Sequence, residues 1–359
     1  MNKPAVIFFS ILSLIIVFTL HLFWGPIKLF FIDYRTDILQ ASDLPDDFSY
    51  SPNHNTTESI PRVIHQTWKT EDIPGKWKDA QQSCIKLHPN YEYKLWTDEA
   101  MREFVKENYP WFLPQYDAYP FNIERADVVR YFILYHYGGI YLDLDVGCNR
   151  SMNPLLEYPA FVRKTSPSGI SNNVIGIRKK HPFLLQVIRS LPSYAFNYHF
   201  PYLTVMYSTG PLFFSIIWRA WRSLPMAEAW HHISVLNSDL YTGSNHSFFN
   251  IYEGSSWHDN DAGLVFYLLR HWLLLTILGF MLFFFIVFLF FGSSLKPAAR
   301  VSRSSRRAFG SPFSSKSSSP WRKFKQYVST DESSDQQNSD AIPFMAEIDL
   351  ESQTRPKSR

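Results

Sequence analysis

One stretch of the chain, residues 122–149, joins a helix pattern to a glycine pair and then to a short apolar strand followed by two acids. Apolar and aromatic side chains recur at helical spacing up to Gly138 and Gly139, and a glycine can adopt the left-handed conformation that ends a helix. Asp143 and Asp145 come directly after the strand 140–142, and alternate residues of a strand point to the same side. The stretch therefore predicts an α/β unit that presents two carboxylates together at the end of a buried strand.

Two carboxylates on one side of a strand end repel each other unless a positive charge lies between them. A divalent cation bound to a phosphate meets this need, because hard cations prefer oxygen ligands. We therefore interpret Asp143 and Asp145 as a metal and phosphate site, with a solvated acidic turn as the alternative. Asp127 and Arg130 lie three residues apart on the preceding helix, so they are neighbours that either contact a ligand or form a simple ion pair.

The segments around this stretch alternate between strand and helix patterns. The predicted elements are strands at 63–64 and 91–96 and helices at 75–87 and 98–109. This alternation is typical of a mostly parallel sheet with helices on its faces. Gln66 and Trp68 follow the first strand, where open α/β sheets bind ligands, and Trp68 either stacks on a base or packs in the core. Asn173, beside a later apolar strand, is a further candidate for contact with a ligand.

Two long apolar runs flank this central part. No small-residue cleavage pattern follows the first run, which therefore predicts an uncleaved anchor, and the second run carries no charge. Basic residues without any acid follow the second run, and the positive-inside tendency places them in the cytoplasm. The predicted segments are a cytoplasmic N-terminus at 1–4, an anchor at 5–24, a luminal linker at 33–59, a luminal domain at 60–265, a second span at 272–291 and a disordered cytoplasmic tail at 292–359.

The composition excludes several functions. A net charge of +3 is too small to indicate a nucleic-acid-binding protein. Cys84 and Cys148 belong to neither a CxxC motif nor a His/Cys cluster, so structural zinc is not expected, and whether the two cysteines pair stays open. Sequons at Asn55 and Asn245 predict N-glycosylation, whereas a glycan at Asn149 would crowd the two acids.

Several strings of the chain occur in the order seen in the DXD-containing glycosyltransferases that include the Och-type mannosyltransferases, and the chain resembles this family over residues 60–259. The strings are IPRVIHQTWK, NYEYKLWTDE, ADVVRYFILYHYGGIYLDLDV, HPF, TGP and SSWH. The resemblance implies a GT-A fold, which is Rossmann-like and built on a mostly parallel sheet. It also implies a nucleotide-sugar donor, a divalent metal (Mn²⁺, or alternatively Mg²⁺) and retention of the anomeric configuration.

The same resemblance implies roles for individual residues. Asp127 and Arg130 would hold the donor sugar, and Asp143 and Asp145 would be the catalytic acids that serve the nucleotide and the metal. His258 would complete the metal shell, with a surface or structural histidine as the alternative. The expected donor-binding set also includes Gln66, Trp68 and Asn173.

An N-terminal anchor, this catalytic block, a second span and a cytoplasmic tail together resemble the catalytic subunits of fungal mannosyl-inositol-phosphoceramide synthases. That resemblance implies transfer of mannose from GDP-mannose to inositol phosphoceramide, a membrane lipid, together with a multi-span regulatory subunit. It favours the Golgi membrane over the ER or vacuolar membrane. One alternative is an Och-type mannosyltransferase acting on N-glycans or glycoproteins, which the second span argues against. Another is a non-catalytic membrane scaffold or regulatory subunit, which the intact site residues argue against.

Overall fold

The computed structural model describes residues 3–22, 24–44, 58–166, 168–224, 229–254 and 260–291. The helices are α1 (Lys3–Leu22), α2 (Trp24–Leu29), α3 (Gly75–Leu87), α4 (Asp98–Asn108), α5 (Leu113–Ala118), α6 (Asn122–Tyr137), α7 (Pro182–Tyr194), α8 (Pro201–Ser208), α9 (Pro211–Arg222), α10 (Ser238–Tyr241), α11 (Asn260–Arg270) and α12 (Trp272–Phe291). The strands are β1 (Ile38–Leu39), β2 (Val63–Thr67), β3 (Glu92–Trp96), β4 (Gly139–Leu142), β5 (Val146–Cys148), β6 (Ala160–Lys164), β7 (Ile170–Ile177), β8 (Ser234–Leu236) and β9 (Phe249–Ile251).

Seven of these strands form one sheet in the order β1-β8-β6-β7-β4-β2-β3. Four neighbouring pairs are parallel, whereas β7 runs antiparallel to both β6 and β4. The prediction of a mostly parallel sheet combined with helices is therefore confirmed. Strands β5 and β9 form a separate antiparallel pair.

Apolar side chains cover both faces of the sheet. Ile140 and Leu142 of β4 pack into one cluster, which also contains Tyr241. Tyr141 lies between them in the sequence and packs into the other cluster, with residues of α4 to α7 and α9. Successive side chains of a strand point to opposite faces, so this division shows that β4 is buried from both sides.

The predicted succession of helix, glycine stop and strand is present as α6 and β4. At the start of α6, the backbone N–H of Phe121 donates to the Glu124 carboxylate at 3.3 Å. At its end, Gly138 and Gly139 have φ angles of 71° and 104°. A Cβ at Gly138 would lie 2.6 Å from the backbone nitrogen of Lys179, so both backbone angle and space require glycine there.

A disulfide joins Cys84 of α3 to Cys148 of β5 and so answers the question that the sequence left open. The two cysteines are 64 residues apart, and Cys148 lies three residues after Asp145. The bond therefore attaches α3 to the segment that directly follows the two acids.

Part of the predicted linker belongs to the folded domain. Ile38–Leu39 pairs in parallel with β8, and Leu39 and Leu44 are buried. A two-residue edge strand shows no periodicity, so the sequence pattern could not reveal it. The predicted domain end at residue 265 falls inside α11. Residues 45–57, including Asn55, and the tail 292–359 lie outside the described residues.

One of the described helices is long and apolar enough to cross a membrane, over Trp272–Leu289. The apolar part of α1 is shorter, Phe9–Thr19, so the N-terminal anchor stays a prediction. The apolar residues 212–221 could form either a core helix or an interfacial helix, and α9 is a core helix, since Phe213, Phe214 and Trp218 are fully buried. The chain divides into a compact unit of residues 1–280 and a second unit of residues 281–359. In the second unit the described residues are 281–291, the end of α12.

Candidate active site

A pocket of about 330 Å³ lies at the edge of the sheet where β2 and β4 end. Ligands bind at this edge in open α/β sheets. Trp68, Arg130, Asp143 and Asp145, four of the residues proposed from the sequence, line the pocket. Of the other candidates, Gln66, Asp127 and Asn173 do not line it, and His258 lies outside the described residues.

The two acids occupy a tight turn after β4 instead of alternating along the strand. The backbone N–H of Val146 donates to the carbonyl of Asp143 at 3.0 Å, which closes the turn. The N–H of Asp143 donates to the carbonyl of Asn173 at 2.9 Å, so the turn is also attached to β7. Asp143, Leu144 and Asp145 all line the pocket. The expectation that both acids face one site therefore holds, although the geometry behind it is that of a turn.

Arg130 and Tyr141 hold the carboxylate of Asp143 in place. Its Oδ1 accepts hydrogen bonds from Arg130 Nη1 at 3.1 Å and from the Tyr141 hydroxyl at 2.9 Å. The guanidinium lies 4.4 Å from the centre of the Tyr141 ring, which adds a cation–π contact. The Thr67 hydroxyl, 2.9 Å away, donates to Tyr141 because the tyrosine proton is directed at Asp143. The orientation of Asp143 is thus set by residues from three elements.

Asp127 lies behind Arg130, away from the pocket. Its Oδ1 is 2.9 Å from Arg130 Nη2, and it accepts hydrogen bonds from Asn172 Nδ2 at 2.9 Å and from the Thr209 hydroxyl at 3.2 Å. Burial raises the pKa of Asp127 to about 7, against the opposing effect of Arg130. The structure therefore contains the ion pair that the sequence allowed, but one that is buried and leaves only Arg130 at the pocket surface.

Asp145 is half-buried, and within the described residues it forms no ion pair. Burial, and then the neighbouring charge of Asp143, raise the pKa of Asp145 to about 6. Among the described residues there is no cluster of three or more His, Cys, Asp or Glu side chains that could hold a metal alone. Two adjacent carboxylates nevertheless fit a hard divalent cation that takes its other ligands from a phosphate.

Gly254 passes close to Asp145, and sequence reasoning missed it. A Cβ built at Gly254 would overlap Asp145 Oδ2, so any larger residue would displace that carboxylate. The backbone N–H of Tyr252 also donates to the carbonyl of Asp145 at 2.8 Å. The segment after β9 therefore forms one wall of the site.

Trp68 lines the pocket and packs edge-on against Trp77, with ring centres 4.9 Å apart. The Trp77 indole donates to the carbonyl of Glu253 at 2.8 Å, which ties this aromatic pair to the same wall. Lys69 and Asp98 also line the pocket. The pocket therefore offers a flat aromatic side chain together with charged groups of both signs.

Gln66 and Asn173 support the turn from inside the fold. Gln66 is fully buried, accepts from the Tyr93 hydroxyl at 2.9 Å and approaches the carbonyl of Asp143 at 3.4 Å. Asn173 Nδ2 donates to the Tyr241 hydroxyl at 2.9 Å. Gln66 lies on a central strand, which buries its side chain, so the predicted direct contact with a ligand in the pocket does not fit its position.

Sequence reasoning also missed Tyr141, Asn172 and Thr209. Tyr141 precedes Asp143 by two residues, a spacing that could have indicated a shared side of the strand. Asn172 and Thr209 are distant from Asp127 in the sequence, and no local pattern connects them.

The comparisons with known proteins agree with this geometry. Residues 74–162 match the family described as a glycosyltransferase sugar-binding region containing a DXD motif, and such a region generally implies the use of a divalent metal. Inositol phosphoceramide mannosyltransferase 3 of Schizosaccharomyces pombe is 64% identical to the chain over 358 residues, which are 100% of both proteins. Mannosyl phosphorylinositol ceramide synthase CSH1 of Saccharomyces cerevisiae is 45% identical over 276 residues, covering 76% of this chain and 73% of that protein.

Among solved structures, the PaToxG glycosyltransferase resembles part of the chain. It is 19% identical, with a TM-score of 0.36, and the match covers 45% of this chain and 70% of that structure.

Proposed function

The chain belongs to the family of the inositol phosphoceramide mannosyltransferases, and we propose that it transfers mannose from GDP-mannose to inositol phosphoceramide. The observation that carries this proposal is the turn of Asp143, Leu144 and Asp145, which Arg130 holds beside the pocket at the edge of the sheet. The α/β sheet with helices and the DXD turn support a domain of the GT-A type.

The pocket supplies the groups that a sugar nucleotide needs. Trp68 offers a face on which the guanine base can stack. Arg130 is held by Asp127 and Asp143 and reaches the pocket, where it binds the donor sugar or its phosphates. Asp127 does not line the pocket, so its role is to fix the position of Arg130.

Asp143 and Asp145 would hold the divalent cation, Mn²⁺ in this proposal, and His258 remains a candidate third ligand outside the described residues. When bound, the cation would neutralise the diphosphate leaving group. The protein contributes fixed orientations: Arg130 and Tyr141 hold Asp143, and the backbone at Gly254 limits the movement of Asp145. Preorganised groups of this kind need no rearrangement during the reaction.

We further propose that the domain lies on the luminal side of the Golgi membrane. The disulfide between Cys84 and Cys148 supports this, because disulfides persist in oxidising compartments. Helix α12 supports attachment to a membrane. The N-terminal anchor, the glycans at Asn55 and Asn245 and the multi-span regulatory subunit belong to the same proposal, and Asn245 is exposed as a glycan acceptor must be.

Lipid analysis of cells that lack the protein tests the proposed function. Such cells should accumulate inositol phosphoceramide, and the wild-type chain should restore its mannosylated form. Asp145→Asn should not restore it, although the variant protein accumulates normally, because the amide cannot serve as an anionic metal ligand. Asp117→Asn is the matched control, since Asp117 forms an exposed ion pair with Arg102 away from the site. Restoration by Asp145→Asn would refute the role of the DXD turn.

A further inference from the structure

Arg163, Asn173 and Tyr241 form a cluster beside the DXD turn, and none of them lines the pocket described above. The Arg163 guanidinium lies 4.3 Å from the centre of the Tyr241 ring. Asn173 Nδ2 donates to the Tyr241 hydroxyl at 2.9 Å. Tyr241 packs on the face of the sheet opposite to α6, so this cluster and Arg130 approach the turn from different sides.

An irregularity in the sheet brings these residues together. The pairing of β6 with β7 passes from Val162↔Ile175 directly to Arg163↔Ser171, so residues 172–174 of β7 have no partner on β6. Bulges of this kind redirect side chains and are frequent next to active sites. Here Asn172 turns towards Asp127, whereas its neighbour Asn173 turns towards Tyr241. The side-chain amides of Asn172 and Asn173 thus form hydrogen bonds on the two different sides of the DXD turn.

The cluster has hydrogen-bonding capacity that the described protein does not use. Arg163 Nε and Asn173 Oδ1 are both buried and have no hydrogen-bond partner. Buried polar atoms that stay unpaired destabilise a fold, so the presence of two of them calls for an explanation. Among the described residues Arg163 forms no ion pair, and its guanidinium rests on an aromatic ring instead. An arginine held in this way is available to an anion, and its planar donors suit a phosphate.

The cluster also adjoins the turn directly. Asn173, whose side chain bonds Tyr241, accepts the backbone N–H of Asp143 on its own carbonyl at 2.9 Å. A group bound at Arg163 would therefore lie near the carboxylates at which the donor sugar is expected.

We propose that Arg163 binds the phosphodiester of the acceptor lipid and that Asn173 Oδ1 accepts a hydrogen bond from a hydroxyl of its head group. Tyr241 is a positioning residue, whose ring supports Arg163 and whose hydroxyl orients Asn173. This inference rests on the proposed function and adds to it the element that selects an anionic acceptor. The diphosphate of the donor carries the same chemistry, so the test must separate the two substrates.

The test measures KM for inositol phosphoceramide and for GDP-mannose separately, together with the slow hydrolysis of GDP-mannose in the absence of acceptor, on full-length protein in detergent. Arg163→Gln should raise the acceptor KM about 10- to 100-fold, the loss expected for a charged hydrogen bond. The donor KM and the hydrolysis rate should change less than about twofold. Arg163→Lys keeps the positive charge and should therefore raise the acceptor KM less than Arg163→Gln does. Tyr241→Phe should raise the acceptor KM and leave the hydrolysis rate unchanged.

Arg178→Gln is the matched control. Arg178 also stacks on an aromatic ring, Trp230, at 4.6 Å, but it follows β7 at the end of the sheet remote from the DXD turn. Its loss should leave both KM values unchanged. Glycerophosphoinositol should inhibit the wild-type enzyme much more strongly than free inositol does, and Arg163→Gln should abolish this difference.

Three results would overturn the inference: an Arg163→Gln variant indistinguishable from Arg178→Gln, a rise in the donor KM alone, or equal inhibition of the wild type by the charged and neutral compounds. If Arg163→Gln lowers the unfolding temperature, the same KM values are measured on Arg163→Lys, and an unchanged acceptor KM for that variant at intact stability supports a role for the charge of Arg163. If the wild-type protein itself transfers no mannose to inositol phosphoceramide, the proposed function fails instead, and that result is distinguishable from all three.

Discussion

Asp127→Ala removes one partner of the buried ion pair that holds Arg130 at the pocket. Arg130 and Asp127 expose only 2% and 4% of their surfaces, and Arg130 Nη2 lies 2.9 Å from Asp127 Oδ1. The variant leaves the buried guanidinium with one charge partner fewer and the Thr209 hydroxyl without an acceptor. Breaking a buried pair in this way costs about 3–5 kcal/mol of unfolding free energy. For a domain of this size, that corresponds to a fall of roughly 6–20 °C in the unfolding temperature.

The double variant Asp127→Ala, Arg130→Met separates the structural role of the pair from its role in the reaction. It removes both charges, so it should be about 2 kcal/mol more stable than the sum of the single effects predicts. It should nevertheless transfer mannose at least about 100-fold more slowly, because Arg130 is the member of the pair that reaches the pocket.

Thermal unfolding in detergent, followed by fluorescence of the 11 tryptophans, measures the stabilities, and transfer from labelled donor measures the activity. Asp117→Ala is the control, because its partner Arg102 is 49% exposed and such surface pairs contribute at most about 1 kcal/mol. Strictly additive stability effects would refute the energetic coupling between Asp127 and Arg130. A stable double variant with wild-type activity would refute the role of Arg130 at the donor.

Three further predictions concern the surroundings of the site. Cys84→Ser removes the disulfide that closes a loop with a sequence separation of 64, and it should lower the unfolding free energy by about 4 kcal/mol. Denaturant unfolding measures this loss, and an unchanged denaturant concentration at the midpoint of unfolding would contradict the prediction. Gly254→Ala should reduce transfer at least about 10-fold by displacing Asp145, while Gly263→Ala, which has open space around it, should not. Burial lowers the pKa of His65 to about 4 in the folded protein, against about 6.5 in the unfolded chain. The unfolding free energy should therefore fall by up to about 3 kcal/mol as the pH drops from 6.5 to 4. His65→Gln should make the unfolding free energy less dependent on pH over this range, and parallel pH profiles of the two proteins would exclude His65 as the source of the dependence.

The sequence predicts the half of the site that is built from neighbouring residues. The helix, the glycine pair, the strand and the two acids lie within one short stretch, and local rules of helix ending and strand burial describe them. Arg130 follows from the same stretch, because a helix places residues three apart on one side.

The other half of the site depends on contacts that are distant in the sequence. Asn173 meets Tyr241 across 68 residues, at the place where the pairing of β7 with β6 shifts beside Arg163. The alternation of apolar residues within β6 and β7 does not show where their pairing shifts, so the bulge could not be predicted from the sequence. For Gln66, by contrast, the sequence suggests a contact with the ligand that the structure does not support. A polar residue at a strand end suggests a ligand contact, yet its neighbours bury it and direct it to the backbone of Asp143.

The most direct measurement is the product formed by purified full-length protein from GDP-mannose, Mn²⁺ and vesicles that contain inositol phosphoceramide. Mass spectrometry of the extracted lipid should show the addition of one hexose, and the addition should disappear when the metal is chelated. Soluble oligosaccharides supplied in place of the lipid should stay unmodified. Hexose found on the oligosaccharides and not on inositol phosphoceramide would contradict the assignment of this site to a lipid mannosyltransferase.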